Sequence, residues 1–167
     1  YLLKIFDNKI YTREDFTESL PNFDILGEIP FVEDTVSAMS SRGIFAESSR
    51  IIRSNIAYKF FAKNNSKVIL VTSSIKGEGK TLTAFNIASS YASTGKKVIL
   101  VGADLRNPQI HKLTFSKRSD YEKGLSSILI DSNINYKEII SKADIFNDKT
   151  FDVLNSGAIP PNPAELL

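Results

Sequence analysis

The sequence predicts an α/β fold in which a mainly parallel sheet is flanked by helices. Two apolar runs rich in β-branched residues, at 67–72 and 97–101, have the length expected of strands buried on both faces. A glycine-rich turn and a helical pattern over residues 80–94 lie between them, and Gly95 provides the helix stop. Strand, helix and strand in this order form a βαβ unit, which is the building block of a parallel sheet.

The other elements are predicted from periodicity and capping residues. Thr12 and Asp15 resemble a capping box that begins a short helix to about Leu20. An apolar stripe predicts a helix over residues 44–62, and its members are Ile44, Phe45, Ile51, Ile52, Ile56 and Phe60. Further strands are expected at 23–29 and 151–154, helices at 124–130, 136–142 and from 164, and loops at 31–43 and 157–163.

Composition excludes several classes of protein. The 167 residues suit one domain, and a net charge of +2 argues against a nucleic-acid partner. The absence of cysteine excludes disulfides and thiolate metal sites, and the single histidine, His111, is a poor basis for a zinc site or a catalytic triad. No apolar run approaches the roughly 18–20 residues that span a bilayer.

The most specific pattern is a phosphate-binding motif between the first predicted strand and its helix. Residues 74–81 match the P-loop pattern of glycine, four residues and Gly-Lys-Ser/Thr, except that Ser74 stands in the first glycine position. The glycines allow backbone N–H groups to point at phosphate oxygens, the lysine can neutralise phosphate charge, and the threonine hydroxyl can ligate Mg²⁺. The predicted nucleotide-binding residues are Lys76, Gly77, Glu78, Gly79, Lys80, Thr81 and Leu82.

A second candidate is Asp104, which follows the strand predicted at 97–101. A carboxylate there lies at the sheet edge where ligands bind in open α/β folds, so Asp104 can hold Mg²⁺ or its waters. Capping a turn is the alternative use of such an aspartate. For Lys76 the choice is between a further phosphate contact and a solvated loop lysine.

These motifs resemble the bacterial tyrosine kinases, the cytoplasmic ATPase-like domains of capsule and exopolysaccharide chain-length regulators. The run Lys76–Thr81 is similar to the deviant P-loop of MinD/ParA-type ATPases, and residues 104–108 and 157–167 extend the likeness over essentially the whole chain. The resemblance implies a P-loop NTPase fold with three α/β/α layers. It also implies ATP and Mg²⁺ as cofactors, Lys80 and Asp104 as catalytic residues, and Thr81 and Asp104 as metal ligands.

Glu47, Arg50 and Arg53 match the family's Glu-x-x-Arg-x-x-Arg motif. Residues three apart are neighbours on a helix, so the three side chains are expected to form a row on the polar side. In the family this row joins subunits into a ring, which lets the tyrosine tail of one subunit enter its neighbour's site. A solvated charged face is the alternative that the residues alone favour.

The chain departs from the family pattern in three respects. Gly102 stands where the family carries the first aspartate of Asp-x-Asp, a residue associated with metal binding and activation of the tyrosine hydroxyl. The sequence ends before the family's Walker B strand, and its six tyrosines are scattered instead of clustered in a tail. We therefore expect the sheet to be incomplete at the C-terminus, and weak, altered or lost catalysis all stay open.

The resemblance implies a protein-tyrosine autokinase that regulates capsule or exopolysaccharide export at the cytoplasmic face of the bacterial inner membrane. Residues 1–42 would be a juxtamembrane lead-in, and 43–167 the N-terminal part of the kinase domain. Implied partners are further copies of the chain, a membrane portion or adaptor, and a tyrosine phosphatase. The alternatives are a nucleotide-gated oligomerisation module without catalysis, which Gly102 would mark, and a MinD/ParA-type ATPase. The motif of Glu47, Arg50 and Arg53 and residues 160–163 argue against the ATPase.

Overall fold

The computed structural model describes residues 10–31, 43–59, 66–114, 122–145 and 149–166. The elements in chain order are α1 (Arg13–Ser19), α2 (Ile44–Lys59), α3 (Lys80–Ser93), β1 (Ile99–Val101), α4 (Ile110–Leu113), α5 (Leu125–Ile130), a 3₁₀ turn (Tyr136–Glu138), β2 (Ser141–Ile145), β3 (Lys149–Leu154) and α6 (Pro163–Leu166). Most of the loop predicted at 31–43, the junction after residue 42 and the helix end at 60–62 lie outside the described residues.

The sheet described here has three strands in the order β1-β3-β2. β1 and β3 are parallel, with Leu100 opposite Val153, and β2 runs antiparallel to β3, with Ala143 opposite Phe151. The α/β class is confirmed, and the sheet is mixed. β2 was not predicted, because residues 136–142 were assigned to a helix that is in fact a single 3₁₀ turn capped by Asn135.

Helix α3 is the centre of the packing. One face lies on the sheet, where Phe85 and Phe151 meet edge to face at a centroid distance of 5.5 Å. Its opposite face carries Ile87, which packs against Ile52 and Ile56 of α2. The sheet, α3 and α2 are therefore stacked in that order, and burial of these apolar faces accounts for the position of the helix.

The segment before α2 packs on that helix without forming the strand predicted at 23–29. Asn55 Nδ2 donates a hydrogen bond to the carbonyl of Leu26 at 2.7 Å, and Lys59 forms an ion pair with Asp24. Because a backbone carbonyl of this segment accepts a hydrogen bond from a side chain of α2, it is not used for pairing with a neighbouring strand. The capping box of α1, in contrast, is present as predicted, with both hydrogen bonds between Thr12 and Asp15.

The strand predicted at 67–72 is not a strand in the structure, and none of the three described strands pairs with it. Val68 is 96% exposed and Leu70 is 82% exposed. A β-prone sequence becomes a strand only when a neighbouring strand accepts and donates its backbone hydrogen bonds, and the described sheet contains no strand paired with residues 68–72. The prediction that 97–101 is buried on both faces is also wrong, because only Leu100 of β1 is buried while Ile99 and Val101 are exposed.

Candidate functional site

The turn before α3 has the backbone shape of a phosphate-binding loop. Gly77 (φ 95°) and Gly79 (φ 87°) adopt positive φ, and Gly79 is the N-cap of α3. A Cβ atom added to either glycine would meet nothing within 4 Å, so the backbone conformation favours glycine here and crowding does not. The loop leads directly into a helix N-terminus, whose free N–H groups attract anions.

Two residues that were predicted separately, Lys80 and Asp104, come together beside this loop. Lys80 Nζ lies 4.0 Å from Asp104 Oδ2, and their side chains are 32% and 37% exposed. Lys80 is the first residue of α3 and Asp104 follows β1, so the pair forms where the helix N-terminus meets the carboxyl end of the strand. A cation in this position can bind phosphate while remaining accessible to a ligand.

The second oxygen of Asp104 holds its own loop in place. Asp104 Oδ1 accepts hydrogen bonds from the backbone N–H groups of Asn107 at 2.9 Å and Arg106 at 3.2 Å. The carboxylate thus caps a turn with one oxygen and faces Lys80 with the other. The turn-capping use that the sequence left open is present, and the turn fixes the direction of the carboxylate.

The remaining predicted nucleotide-binding residues lie in the loop itself or in the first turn of α3. Lys76 is exposed, and Glu78 Oε2 accepts a hydrogen bond from the Ile75 N–H at 3.1 Å, which braces the loop from within. Thr81 and Leu82 are half-buried in the first turn of α3. The described residues hold no group of three or more His, Cys, Asp or Glu side chains suited to a metal. The Thr81 hydroxyl and the Asp104 carboxylate are nevertheless the oxygen donors that suit Mg²⁺, which usually keeps waters and binds through substrate phosphates.

Gly102 is packed tightly against the segment that follows β3. A Cβ atom added to it would lie 2.6 Å from Ser156 Oγ and 2.9 Å from the Ser156 backbone nitrogen. Its N–H donates a hydrogen bond to the carbonyl of Leu154 at 2.8 Å. The residue that replaces the family's aspartate therefore stands where this backbone leaves no room for a side chain.

The three predicted interface residues do not form one exposed row. Arg50 Nη1 pairs with Glu47 Oε2 at 2.8 Å on the exposed surface of α2. Arg53 turns toward α3, where its Nη1 donates hydrogen bonds to the Ser90 carbonyl at 2.8 Å and to Ser90 Oγ at 3.2 Å. Each step of three residues rotates the side chain by roughly 60° around a helix with about 3.6 residues per turn. Arg53 comes two such steps after Glu47 and therefore lies on the side of α2 that faces α3.

A cleft of about 250 Å³, which no sequence pattern predicted, opens beside the carboxyl ends of β1 and β3. Its lining includes Pro108, Ile110, His111, Glu122 and residues 155–159. Burial lowers the pKa of His111 below its ordinary value, and the neighbouring charge of Lys112 lowers it further. The lining residues come from three separate parts of the chain, so only the folded structure brings them together.

The comparisons with known proteins find an AAA domain and relatives that are named as tyrosine-protein kinases. Residues 66–158 match a family model described as an AAA domain. The chain is 37% identical over 134 residues to the tyrosine-protein kinase YwqD of Bacillus subtilis strain 168, covering 80% of this chain and 53% of the relative. It is 38% identical over 116 residues to the tyrosine-protein kinase CpsD of Streptococcus agalactiae, covering 70% and 47%.

Among solved structures, the chimerical protein CapA2B2 aligns with a TM-score of 0.75 and 36% identity, over 93% of this chain and 64% of that one. The chain spans about half the length of these two relatives and 16% of a tyrosine-protein kinase of Salmonella typhi. No helix within the described ranges is both long enough and apolar enough to cross a membrane.

Proposed function

The chain belongs to the AAA-domain family, and on that premise we propose that it is the nucleotide-binding part of a bacterial protein-tyrosine autokinase. The reaction transfers the γ-phosphoryl group of ATP to a tyrosine hydroxyl of a neighbouring subunit and yields ADP and phosphotyrosine. The observation that carries the proposal is the 4.0 Å approach of Lys80 Nζ to Asp104 Oδ2 beside a loop with two positive-φ glycines. The names of the relatives support the tyrosine specificity.

Each residue has a role that its position supports. Gly77 and Gly79 shape the loop so that backbone N–H groups face the phosphates, and Lys80 neutralises phosphate charge. Thr81 and Asp104 would hold Mg²⁺, which supplies charge neutralisation at the transferring phosphate. Lys76 is exposed and adds a phosphate contact from the loop or from a neighbouring subunit. Phosphoryl transfer needs mainly positioning and electrostatic stabilisation from a protein, which these residues can provide.

The proposed setting is the cytoplasmic face of the bacterial inner membrane, in the control of capsule or exopolysaccharide export. One relative is named as a putative tyrosine-protein kinase in the cps region of Klebsiella pneumoniae, which supports this setting. The partners would be further copies of the chain, assembled through the exposed Glu47–Arg50 pair, together with a membrane portion or adaptor and a tyrosine phosphatase.

A second candidate is a nucleotide-gated assembly module that binds Mg-ATP without transferring phosphate. The crowding at Gly102 favours it, because the position of the family's first catalytic-site aspartate has no space for a side chain here. The two candidates share the nucleotide site and differ only in the acceptor chemistry.

Intact-mass measurement and phosphopeptide mapping of the protein at its full natural length, after incubation with Mg-ATP, distinguish the candidates. The autokinase gains phosphate on tyrosine, and the Lys80→Met variant gains none. Binding of Mg-ATP without phosphate on tyrosine would leave the assembly module. A protein that binds no nucleotide would overturn both.

A further inference from the structure

We propose that Arg53 is a positioning residue for the P-loop helix of its own subunit. Its guanidinium lies at the C-terminal end of α3, the helix whose first residue is Lys80. The consequence for nucleotide binding rests on the proposed function, whereas the role of Arg53 as a cap of the helix does not.

The Ser90 carbonyl that Arg53 contacts is one of the helix-end carbonyls that lack a backbone donor. The last four carbonyls of an α-helix have no intrahelical partner, and in α3 these begin with Ser90. Thr94, the first residue beyond the helix, donates to the carbonyl of Tyr91 instead. Ser90 is 8% exposed, so water is a poor substitute, and its carbonyl accepts from Arg53 at 2.8 Å and from Ser93 Oγ at 2.8 Å.

Charge favours the same arrangement. The C-terminal end of a helix carries partial negative charge and is stabilised by cations, yet α3 has no basic residue in its last turn. The cations come from neighbouring elements, because Arg53 of α2 reaches Ser90 and Lys149 of β3 donates to the Ser93 carbonyl at 2.6 Å. The end of α3 opposite the P-loop is therefore attached to both α2 and the sheet.

Arg53 is itself held by α3 through its backbone. The Tyr91 hydroxyl donates a hydrogen bond to the Arg53 carbonyl at 3.4 Å, and burial raises the pKa of Tyr91, while the charge of Arg53 opposes that rise. The reciprocal contacts lie beside the apolar contact of Ile52 and Ile56 with Ile87. They fix the rotation of α3 against α2 as well as its distance.

The attachment of Arg53 to Ser90 affects the nucleotide site because the two ends of α3 move together. A helix of this length extends about 21 Å, so a small rotation at Ser90 displaces Lys80 at the other end. Asp104 belongs to the loop after β1 and is not part of α3, which makes the 4.0 Å separation of Lys80 Nζ and Asp104 Oδ2 sensitive to the rotation.

The decisive comparison is between Arg53→Met and Arg50→Met, two identical changes one turn apart on α2. Arg53→Met should speed amide hydrogen exchange in the last turn of α3 by roughly fivefold or more, since the Ser90 carbonyl loses its hydrogen bond with the guanidinium. It should weaken binding of a fluorescent ADP analogue with Mg²⁺ by roughly two- to thirtyfold. Arg53→Lys, which keeps a cation at the helix end, should restore most of both, and Arg50→Met should change neither by more than about twofold.

Both quantities are measured on the full chain at a concentration where sedimentation shows the monomer, so that assembly contributes nothing. Unchanged exchange in Arg53→Met, or equal effects in Arg53→Met and Arg50→Met, would overturn the proposal. If the unaltered protein binds no nucleotide, the proposed function fails and the exchange rates still decide the role of Arg53. Should Arg53→Met fail to fold, Arg53→Leu, which also lacks a hydrogen-bond donor, takes its place, and exchange as slow as in the unaltered protein would be evidence against the cap.

Discussion

The two arms of the P-loop, residues 67–72 before it and helix α3 after it, differ sharply in how they are packed. On the helical side, Phe85 of α3 is 3% exposed and lies between the sheet and the rest of the helix layer. On the other side, Val68 is 96% exposed and Leu70 is 82% exposed. The position of Lys80 is therefore set by a formed core, whereas the segment that leads into the loop has no comparable support among the described residues. A motif recognised from residue types does not guarantee that both of its flanking elements are formed.

The largest test of this difference compares truncations in the two arms. Phe85→Ala removes a buried ring and its contact with Phe151, and should lower the free energy of unfolding by about 3–5 kcal/mol. Leu70→Ala, which removes an exposed side chain, should change it by less than about 0.5 kcal/mol. Urea unfolding followed by circular dichroism measures both.

Phe85→Leu serves as the control, because it keeps an apolar side chain and should cost clearly less than the alanine variant. A loss for Leu70→Ala as large as that for Phe85→Ala would mean that residues 67–72 are packed in solution, and the contrast between the arms would be wrong.

The same contrast separates what the sequence could predict about the fold from what it could not. Helix α3 and strand β3 were predicted because their signals are local: a glycine at each end of the helix, and a short apolar run for the strand. Residues 67–72 carry an equally strong strand signal, but strand formation depends on a partner elsewhere in the chain. Strand β2 was missed because the helix predicted at 136–142 overlaps its first two residues, and the pairing of β2 with β3 is not a local signal.

The candidate site shows the same division. The resemblance to bacterial tyrosine kinases is confirmed by the relatives. The motifs on which it was based include Lys80 and Asp104, which lie together in the structure. The contact of Arg53 with Ser90 depends on how α2 is rotated against α3, which residue spacing alone does not fix. The crowding at Gly102 depends on Ser156, which comes from a distant part of the chain.

The two lysines of the P-loop motif are expected to contribute unequally to nucleotide binding. Lys80→Met removes a half-buried charge beside the loop and should weaken binding of Mg-ATP by at least about tenfold, the range of one charged hydrogen bond. Lys76→Met removes an exposed charge and should weaken it by less than about threefold in dilute protein. Titration calorimetry measures both affinities. Equal losses would show that Lys76 is ordered by the nucleotide within one subunit.

Gly102 provides a test within the packed region. Gly102→Ala should lower the free energy of unfolding by about 1–3 kcal/mol, because the new methyl group overlaps Ser156. Ser156→Ala removes the nearer of the two clashing atoms, so the double variant should be less destabilised than the sum of the single variants by at least about 0.5 kcal/mol. Strict additivity in urea unfolding would contradict the crowding. A gain of kinase activity from Gly102→Asp is accordingly best sought together with Ser156→Ala.

The smallest effect is expected at the cleft beside the sheet, where His111 is partly buried. Its pKa in the folded protein is lowered, first by burial and then by Lys112, below the ordinary value of about 6.5. Between the two values the unfolded chain binds more protons than the folded one, so the free energy of unfolding falls as the pH drops below about 6.5. His111→Asn cannot take up the proton, and its stability should decline less steeply over that interval. Parallel stability curves for the two proteins, measured by urea unfolding above the pH at which carboxylates titrate, would mean that the cleft imposes no cost on the charged imidazole.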